Sequence, residues 1–193
     1  MLCMSLTALI YRNRIHRKKL AMLATTDELT GLFNRRQTLA HLDKHIAETE
    51  SNKKSFSLAI VDIDSFNHVN DKFGYFTGDK ILRLFAELSL KYLAEHYVIG
   101  RMGGDRFFIL MPDTDGQVAY SALDHLRQKL EDVKQEVNMP DLILSISVGL
   151  CEYNMGDSAE SVIRLANTAL YRAKKTGKDN VVLCARMDEP PLQ

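Results

Sequence analysis

An α/β sandwich, with helices packed on a mixed β-sheet, is the fold class this sequence predicts, and three observations carry the expectation. Past residue 25, segments with apolar residues at helical spacing alternate with short strand-like runs. A Gly-Gly turn at Gly103-Gly104 joins short apolar runs into a central hairpin. The chain has 193 residues, 46% hydrophobic and 26% charged, which suffices for one sizeable core and is too short for two comfortable domains.

The elements follow in order. Asp27 or Thr30 can cap a turn near Gly31, and residues 33–50 carry Leu39, Leu42 and Ile46 at helical spacing before the polar loop 51–55. A strand is expected over residues 56–62. Gly78 and Asp79 then open a helix in which Ile81, Leu84, Phe85, Leu88 and Tyr92 form one apolar stripe, which is core and not a cofactor box. After the hairpin, residues 115–137 read as a long helix with Leu123, Leu126, Leu130 and Val133 inward, ended by Met139-Pro140. Residues 142–150 alternate as a strand with one buried face. A last helix starts at Asp157-Ser158-Ala159-Glu160, an Asp-x-x-Glu capping box, and ends at Gly177. Residues 180–184 supply the closing strand.

Chemistry concentrates at two places. Two glycines in a hairpin satisfy the positive φ angles of a tight turn and leave no side chain above it, so a phosphate can approach the backbone at Gly103 and Gly104. Asp105 follows immediately. Upstream, Phe56, Leu58 and Ile60 share parity with Asp62, so a strand that buries them carries a carboxylate at its C-terminal end, where open sheets commonly place ligands. Asp62 and Asp105 together offer hard oxygen ligands suited to Mg²⁺ bridging substrate phosphates, because phosphate and water fill the remaining positions. The competing reading is that Asp62 and Asp64 only end a strand and start a turn.

Four segments resemble one family. They are Thr26-Asp27-Glu28-Leu29-Thr30-Gly31-Leu32-Phe33-Asn34-Arg35-Arg36; Asp62-Ile63-Asp64-Ser65-Phe66 with Asn70-Asp71 and Gly78-Asp79; Gly103-Gly104-Asp105-Arg106-Phe107; and Ala173-Lys174-Lys175-Thr176-Gly177-Lys178-Asp179-Asn180. In this order they are similar to the signatures of the GGDEF domain, the diguanylate cyclase family. The resemblance spans about residues 25–185, with 1–24 as a lead-in and 186–193 as a tail. It implies a palm-like, ferredoxin-related βαββαβ core. It further implies condensation of two GTP molecules into cyclic di-GMP and pyrophosphate by a facing homodimer, with two Mg²⁺ or Mn²⁺ ions per active site holding the reacting oxygens in line.

Carried over position by position, the resemblance makes Asp62, the Ile63 carbonyl and Asp105 the metal ligands, with Asp105 most tied to catalysis. Asn70 and Asp79 match the residues that read guanine. An Asp can accept from the N1–H and N2–H₂ edge that adenine lacks, and Asn can both donate and accept. Phe66 matches the neighbour of the phosphate loop, and Lys174 and Lys178 match the cations that meet the triphosphate. Two lysines there also complement a helix dipole.

Some positions depart from the family pattern. Arg106 stands where the motif has Glu, a change of two charge units beside the metal acids; two unit charges about 4 Å apart interact by roughly 4 kcal/mol at an effective dielectric near 20. Arg106 either weakens metal binding or turns to pair with a triphosphate oxygen. Asn67 replaces a Lys and Tyr75 a His. The family's inhibitory product site would fall on Ala94 and Tyr97 and is absent. The chain is therefore expected to be a diguanylate cyclase or a degenerate GGDEF module that binds GTP or a partner without synthesis.

Charge and cysteine content exclude other classes. Lys plus Arg equals Asp plus Glu at 25 each, so no global field points to nucleic acid. Cys3, Cys151 and Cys184 are widely spaced without paired histidines, which suits a reducing, cytoplasmic compartment and not structural zinc. Residues 1–11 are almost unbroken apolar and are followed by Arg12, Arg14, Arg17, Lys18 and Lys19. This order matches the cytoplasmic end of a transmembrane helix, so the segment is expected to be a membrane stub or interfacial anchor at the inner face of the membrane, or else a plain amphipathic lead-in helix. The sequence contains no recognisable sensor.

Overall fold

The computed structural model describes residues 25–52, 55–133 and 144–185. The expectations for the N-terminal segment, for residues 134–143 and for the tail lie outside these residues. Among them, no helix is long and apolar enough to cross a membrane.

Six strands form one mixed sheet: β1 (Phe33–Asn34), β2 (Phe56–Ile63), β3 (Val98–Gly103), β4 (Arg106–Pro112), β5 (Ile146–Glu152) and β6 (Val181–Leu183). The spatial order is β1-β3-β4-β2-β5-β6. The inner four, β3-β4-β2-β5, are antiparallel neighbours, and β1 and β6 add parallel edges. The helices among the described elements are α1 (Arg35–Asn52), α2 (Phe66–Phe73), α3 (Tyr75–Tyr92), α4 (Gly116–Val133) and α5 (Ala159–Lys175). The central β2-α-β3-β4-α4-β5 unit is the expected palm-like, ferredoxin-related arrangement.

Two apolar layers sandwich the sheet. Ala59, Val61 and Ile63 point to one layer, where Phe85 of α3 meets Phe107 of β4 with ring centroids 4.5 Å apart. Removing either ring there costs roughly 3–5 kcal/mol. Phe56, Leu58 and Ile60 point to the other, packed on Leu42 of α1 and on Val162, Ala166 and Leu170 of α5. Every residue of β2 is therefore buried, because helices cover both faces of the central strand. Strand β5 is likewise buried through Cys151, so the single buried face expected from its alternation is corrected to two.

Several boundaries also differ. Phe33 and Asn34 pair with Gly100 and Arg101 as a short strand, so α1 begins at Arg35. The helix expected to open at Gly78–Asp79 begins at Tyr75 and is preceded by the unforeseen α2, the two meeting at Gly74. Gly78 lies inside α3, where Gly is about 1 kcal/mol worse than Ala. A Cβ there would collide with the side-chain oxygen of Asn70 and crowd the Phe66 ring, so close approach overrides propensity. Asp115 precedes α4, its Oδ1 accepting from the backbone N–H of Gln117 and Val118 at 2.9 Å. Ser158, not Asp157, caps α5 by accepting from Ser161 N at 3.1 Å, and the Asp157 carboxylate instead accepts from Asn154 N. The helix ends at Lys175, with Gly177 just beyond it at positive φ.

Candidate functional site

The carboxylate of Asp62 sits at the C-terminal end of β2, directly across the ladder from Arg106 at the start of β4. Its side chain is 5% exposed. Because Asp62 shares parity with Phe56, Leu58 and Ile60, it faces the layer that holds α5, and Lys174 from the last turn of that helix reaches it. Lys174 Nζ lies 2.6 Å from Asp62 Oδ1, and Arg106 Nε donates to Oδ2 at 3.3 Å. Both oxygens of a buried acid are thus met by cations, which offsets the cost of desolvating the charge.

Asp105 occupies the turn between β3 and β4, and its carbonyl accepts from Ile63 N at 3.3 Å. Burial pushes its carboxyl above the usual carboxylate range, and the neighbouring Asp62 charge adds to the rise; Lys174 and Arg106 pull the other way without cancelling it. Asp62, Asp105, Arg106 and Lys174 therefore form one electrostatic cluster. Gly103 and Gly104 take φ values of 120° and 58°, and a side chain built on either would meet nothing within 4 Å. The space over the turn is open.

Lys178 comes from the loop after α5 and donates to Ser65 Oγ at 2.9 Å, next to buried Phe66. Lys178 and Ser65 are both in left-handed backbone conformation. Asn70 on α2 packs over Gly78 of α3, and its Oδ1 is buried without a hydrogen-bond donor. Asp79 follows Gly78 and is half-buried. Two groups of candidate residues result: Asp62, Ile63, Gly103, Gly104, Asp105 and Lys174 around the β2 and β4 ends, and Phe66, Asn70 and Asp79 at the α2–α3 junction, with Lys178 tied to the link between them.

Hard oxygens from Asp62, Asp105 and the Ile63 carbonyl suit Mg²⁺ or Mn²⁺. Among the described residues, no group of three or more His, Cys, Asp or Glu side chains is placed to hold a metal. Arg106 is a competing cation on the same carboxylate.

Residue-level reasoning missed three supports. Asp64 is buried and accepts from Ser145 Oγ at 2.8 Å, Ser147 Oγ at 2.7 Å and Asp179 N at 3.1 Å, fixing the loop that carries Lys178. Arg101 holds the Gly104 carbonyl with Nε and Nη2 at 3.0 and 2.8 Å while its Nη1 reaches Asp27. Arg127 of α4 pairs with Asp179 at 3.1 Å. The Asp-x-Asp spacing and the Arg two residues before the glycines were the available signals; Arg127 left none, since its partner is 52 residues away.

Comparison with known proteins identifies the family. A family model described as diguanylate cyclase, GGDEF domain, matches residues 24–180. The diguanylate cyclase DgcP of Pseudomonas aeruginosa is 34% identical over 158 residues, covering 82% of this chain and 24% of the relative. A diguanylate cyclase of Vibrio cholerae is 30% identical over 173 residues, covering 90% of this chain and 54% of the relative. The chain thus spans about a quarter to a half of the length of these curated relatives. Among solved structures, the coiled coil and GGDEF domain of DgcB from Caulobacter crescentus in complex with c-di-GMP aligns with a TM-score of 0.85 at 31% identity, covering 92% of this chain and 95% of that one. The diguanylate cyclase SiaD of Pseudomonas aeruginosa, in complex with its activator SiaC, aligns with a TM-score of 0.79 at 31% identity, over 93% of this chain and 70% of that one.

Proposed function

The chain belongs to the GGDEF domain family, and from that premise we propose that it binds GTP in this cleft and, as a facing homodimer, condenses two GTP into cyclic di-GMP and two pyrophosphates. In each half-reaction the 3′-oxygen of one nucleotide bonds to the α-phosphorus of the other, the bond to pyrophosphate breaks and the hydroxyl proton leaves to water. A monomer holds one nucleotide and cannot complete the ring.

The observation that carries this reading is the convergence of Asp62, Asp105 and Lys174 beside an open Gly-Gly turn. Lys174 and Lys178 supply positive charge for the triphosphate, and the bare backbone at Gly103 and Gly104 lets it approach. Asn70, whose Oδ1 is buried against Gly78 without a donor, would accept a guanine N–H once its amide turns outward, and half-buried Asp79 would offer a second acceptor. Asp62, Asp105 and the Ile63 carbonyl would hold Mg²⁺ or Mn²⁺, which supplies charge neutralisation on the triphosphate and acidifies the attacking hydroxyl. The reading puts the domain in the cytoplasm, and recovery wholly in the soluble fraction at high and low salt would remove the expectation of a membrane stub or anchor in favour of a plain lead-in.

Incubating the purified protein with GTP and Mg²⁺ or Mn²⁺, then separating products by chromatography, tests the activity. Cyclic di-GMP formed by the parent and lost in Asp105→Ala is the expected result. The Arg106–Asp62 ion pair favours a second reading, a module that binds GTP and signals without synthesis. GTP binding with no cyclic product under either metal selects it.

A further inference from the structure

Both oxygens of Asp62 are already occupied by protein cations, and the arrangement is set by the backbone. Arg106 is the cross-strand partner of Asp62 in the β2–β4 register, so its position follows from the ladder and not from a long side chain finding a surface acid. Lys174 is delivered by α5 onto the other oxygen. A metal ion arriving at Asp62 must displace one of them.

In the cluster of Asp62, Asp105, Arg106 and Lys174, two acids face two cations and the formal charges cancel. A Glu at position 106 would leave the same four positions with two net negative charges, the amount a single divalent ion neutralises. Arg106 uses only Nε on Asp62, and its side chain is 53% exposed. Its remaining N–H groups form a planar fork, the geometry that pairs with phosphate oxygens. The open space over Gly103 and Gly104 leaves room for such a phosphate.

Resting on the guanine-nucleotide reading above, we propose that Arg106 is a resident cation that takes the place of one of two divalent ions, so that each domain binds GTP with one added ion and retains the nucleotide when none is present. Asp105 and the Ile63 carbonyl are the residues left to hold the single ion. Arg106 becomes a phosphate-contacting residue, and Lys174 keeps Asp62 neutralised.

Two measurements on the full chain test this. The first is Mn²⁺ binding, followed by electron paramagnetic resonance, to protein carrying one equivalent of a non-hydrolysable GTP analogue, comparing the parent with Arg106→Glu and Arg106→Ala. One Mn²⁺ per parent chain is expected, with a second ion gained in Arg106→Glu and tightening of about ten-fold in both variants. Two ions per parent chain, or equal affinities in all three, overturn the proposal. The second is binding of a fluorescent GTP analogue with EDTA or Mg²⁺. The parent should lose no more than about five-fold affinity in EDTA, whereas Arg106→Glu should lose about fifty-fold and recover with Mg²⁺. Arg106→Lys should keep the one-ion stoichiometry but bind the analogue more weakly in EDTA, because the fork is lost. Strict metal dependence of the parent overturns the proposal while leaving the nucleotide reading intact. No analogue binding under any condition overturns that reading and the proposal with it.

Discussion

Arg101 clasps Asp27: its Nη1 lies 3.1 Å from Oδ1 and 3.2 Å from Oδ2 of a carboxylate 74 residues earlier, while Nε and Nη2 of the same guanidinium hold the Gly104 carbonyl. One planar group therefore joins the entry of the domain to the turn over which phosphate is proposed to sit. Arg101→Ala leaves the Gly104 carbonyl without this donor and Asp27 with only its Thr30 donors, at a cost on the order of 1–3 kcal/mol. Thermal unfolding should show a fall of about 2–12 °C. Arg101→Lys should recover little of it, since an ammonium cannot span both partners.

Asp27 gives this clasp a pH dependence. Burial, the largest single influence, pushes its carboxyl up, but the hydrogen bonds from the Thr30 hydroxyl and amide, together with Arg101, outweigh it and hold the carboxyl below its ordinary value. A depressed folded-state pKa contributes stability that is present above the unfolded value and lost as pH falls through the folded one. The stability difference between the parent and Asp27→Asn, followed by urea denaturation from neutral pH downward, should accordingly shrink below the ordinary aspartate range. A constant difference would show that the carboxylate charge is not what matters.

Asp105 has the opposite sign. Burial first, and repulsion from Asp62 second, raise its carboxyl, so its contribution to stability is fully present below the unfolded pKa and is lost as pH rises through the folded one. In metal-free buffer at neutral pH, Asp105→Asn should melt higher than the parent, and the gap should close as the buffer is acidified through the carboxylate range. The same variant should lose cyclic product, separating the stabilising substitution from the functional one.

Asp64 is a buried hub with three donors on its carboxylate. Asp64→Ala strands two hydroxyls and an amide, and a loss of about 2–5 kcal/mol is expected in urea denaturation. Asp64→Asn should cost less but also loosen the loop of Lys178, lowering GTP affinity more than it lowers stability.

Gly78→Ala sets propensity against packing. Alanine gains about 1 kcal/mol in a helix interior, yet its Cβ meets the Asn70 oxygen and the Phe66 ring. The variant should be no more stable than the parent and should bind GTP about ten-fold more weakly, by displacement of the Asn70 acceptor. Undiminished GTP affinity would detach Asn70 from guanine recognition.

Local pattern determined much of this protein. Apolar periodicity located α1, all but the first turn of α3, and α4, because a helix that buries one stripe must repeat at 3.6 residues, while capping and C-terminal glycine signals located α5. Paired glycines marked the hairpin turn, whose backbone needs positive φ. The four ordered segments around Asp27, Asp62, Gly103 and Lys174 pointed to the family that the matching model and relatives bear out. Tertiary structure alone decided the rest. Residues 66–73 became helical because Phe66 and Val69 pack on α3, a contact their own composition does not announce. Burial of both faces of β2 required helices arriving from distant segments. Above all, that Arg106 meets Asp62, that Lys174 completes the pair and that Arg127 steadies the Lys178 loop depends on strand register and helix docking across tens of residues, and no local signal encodes distance through space.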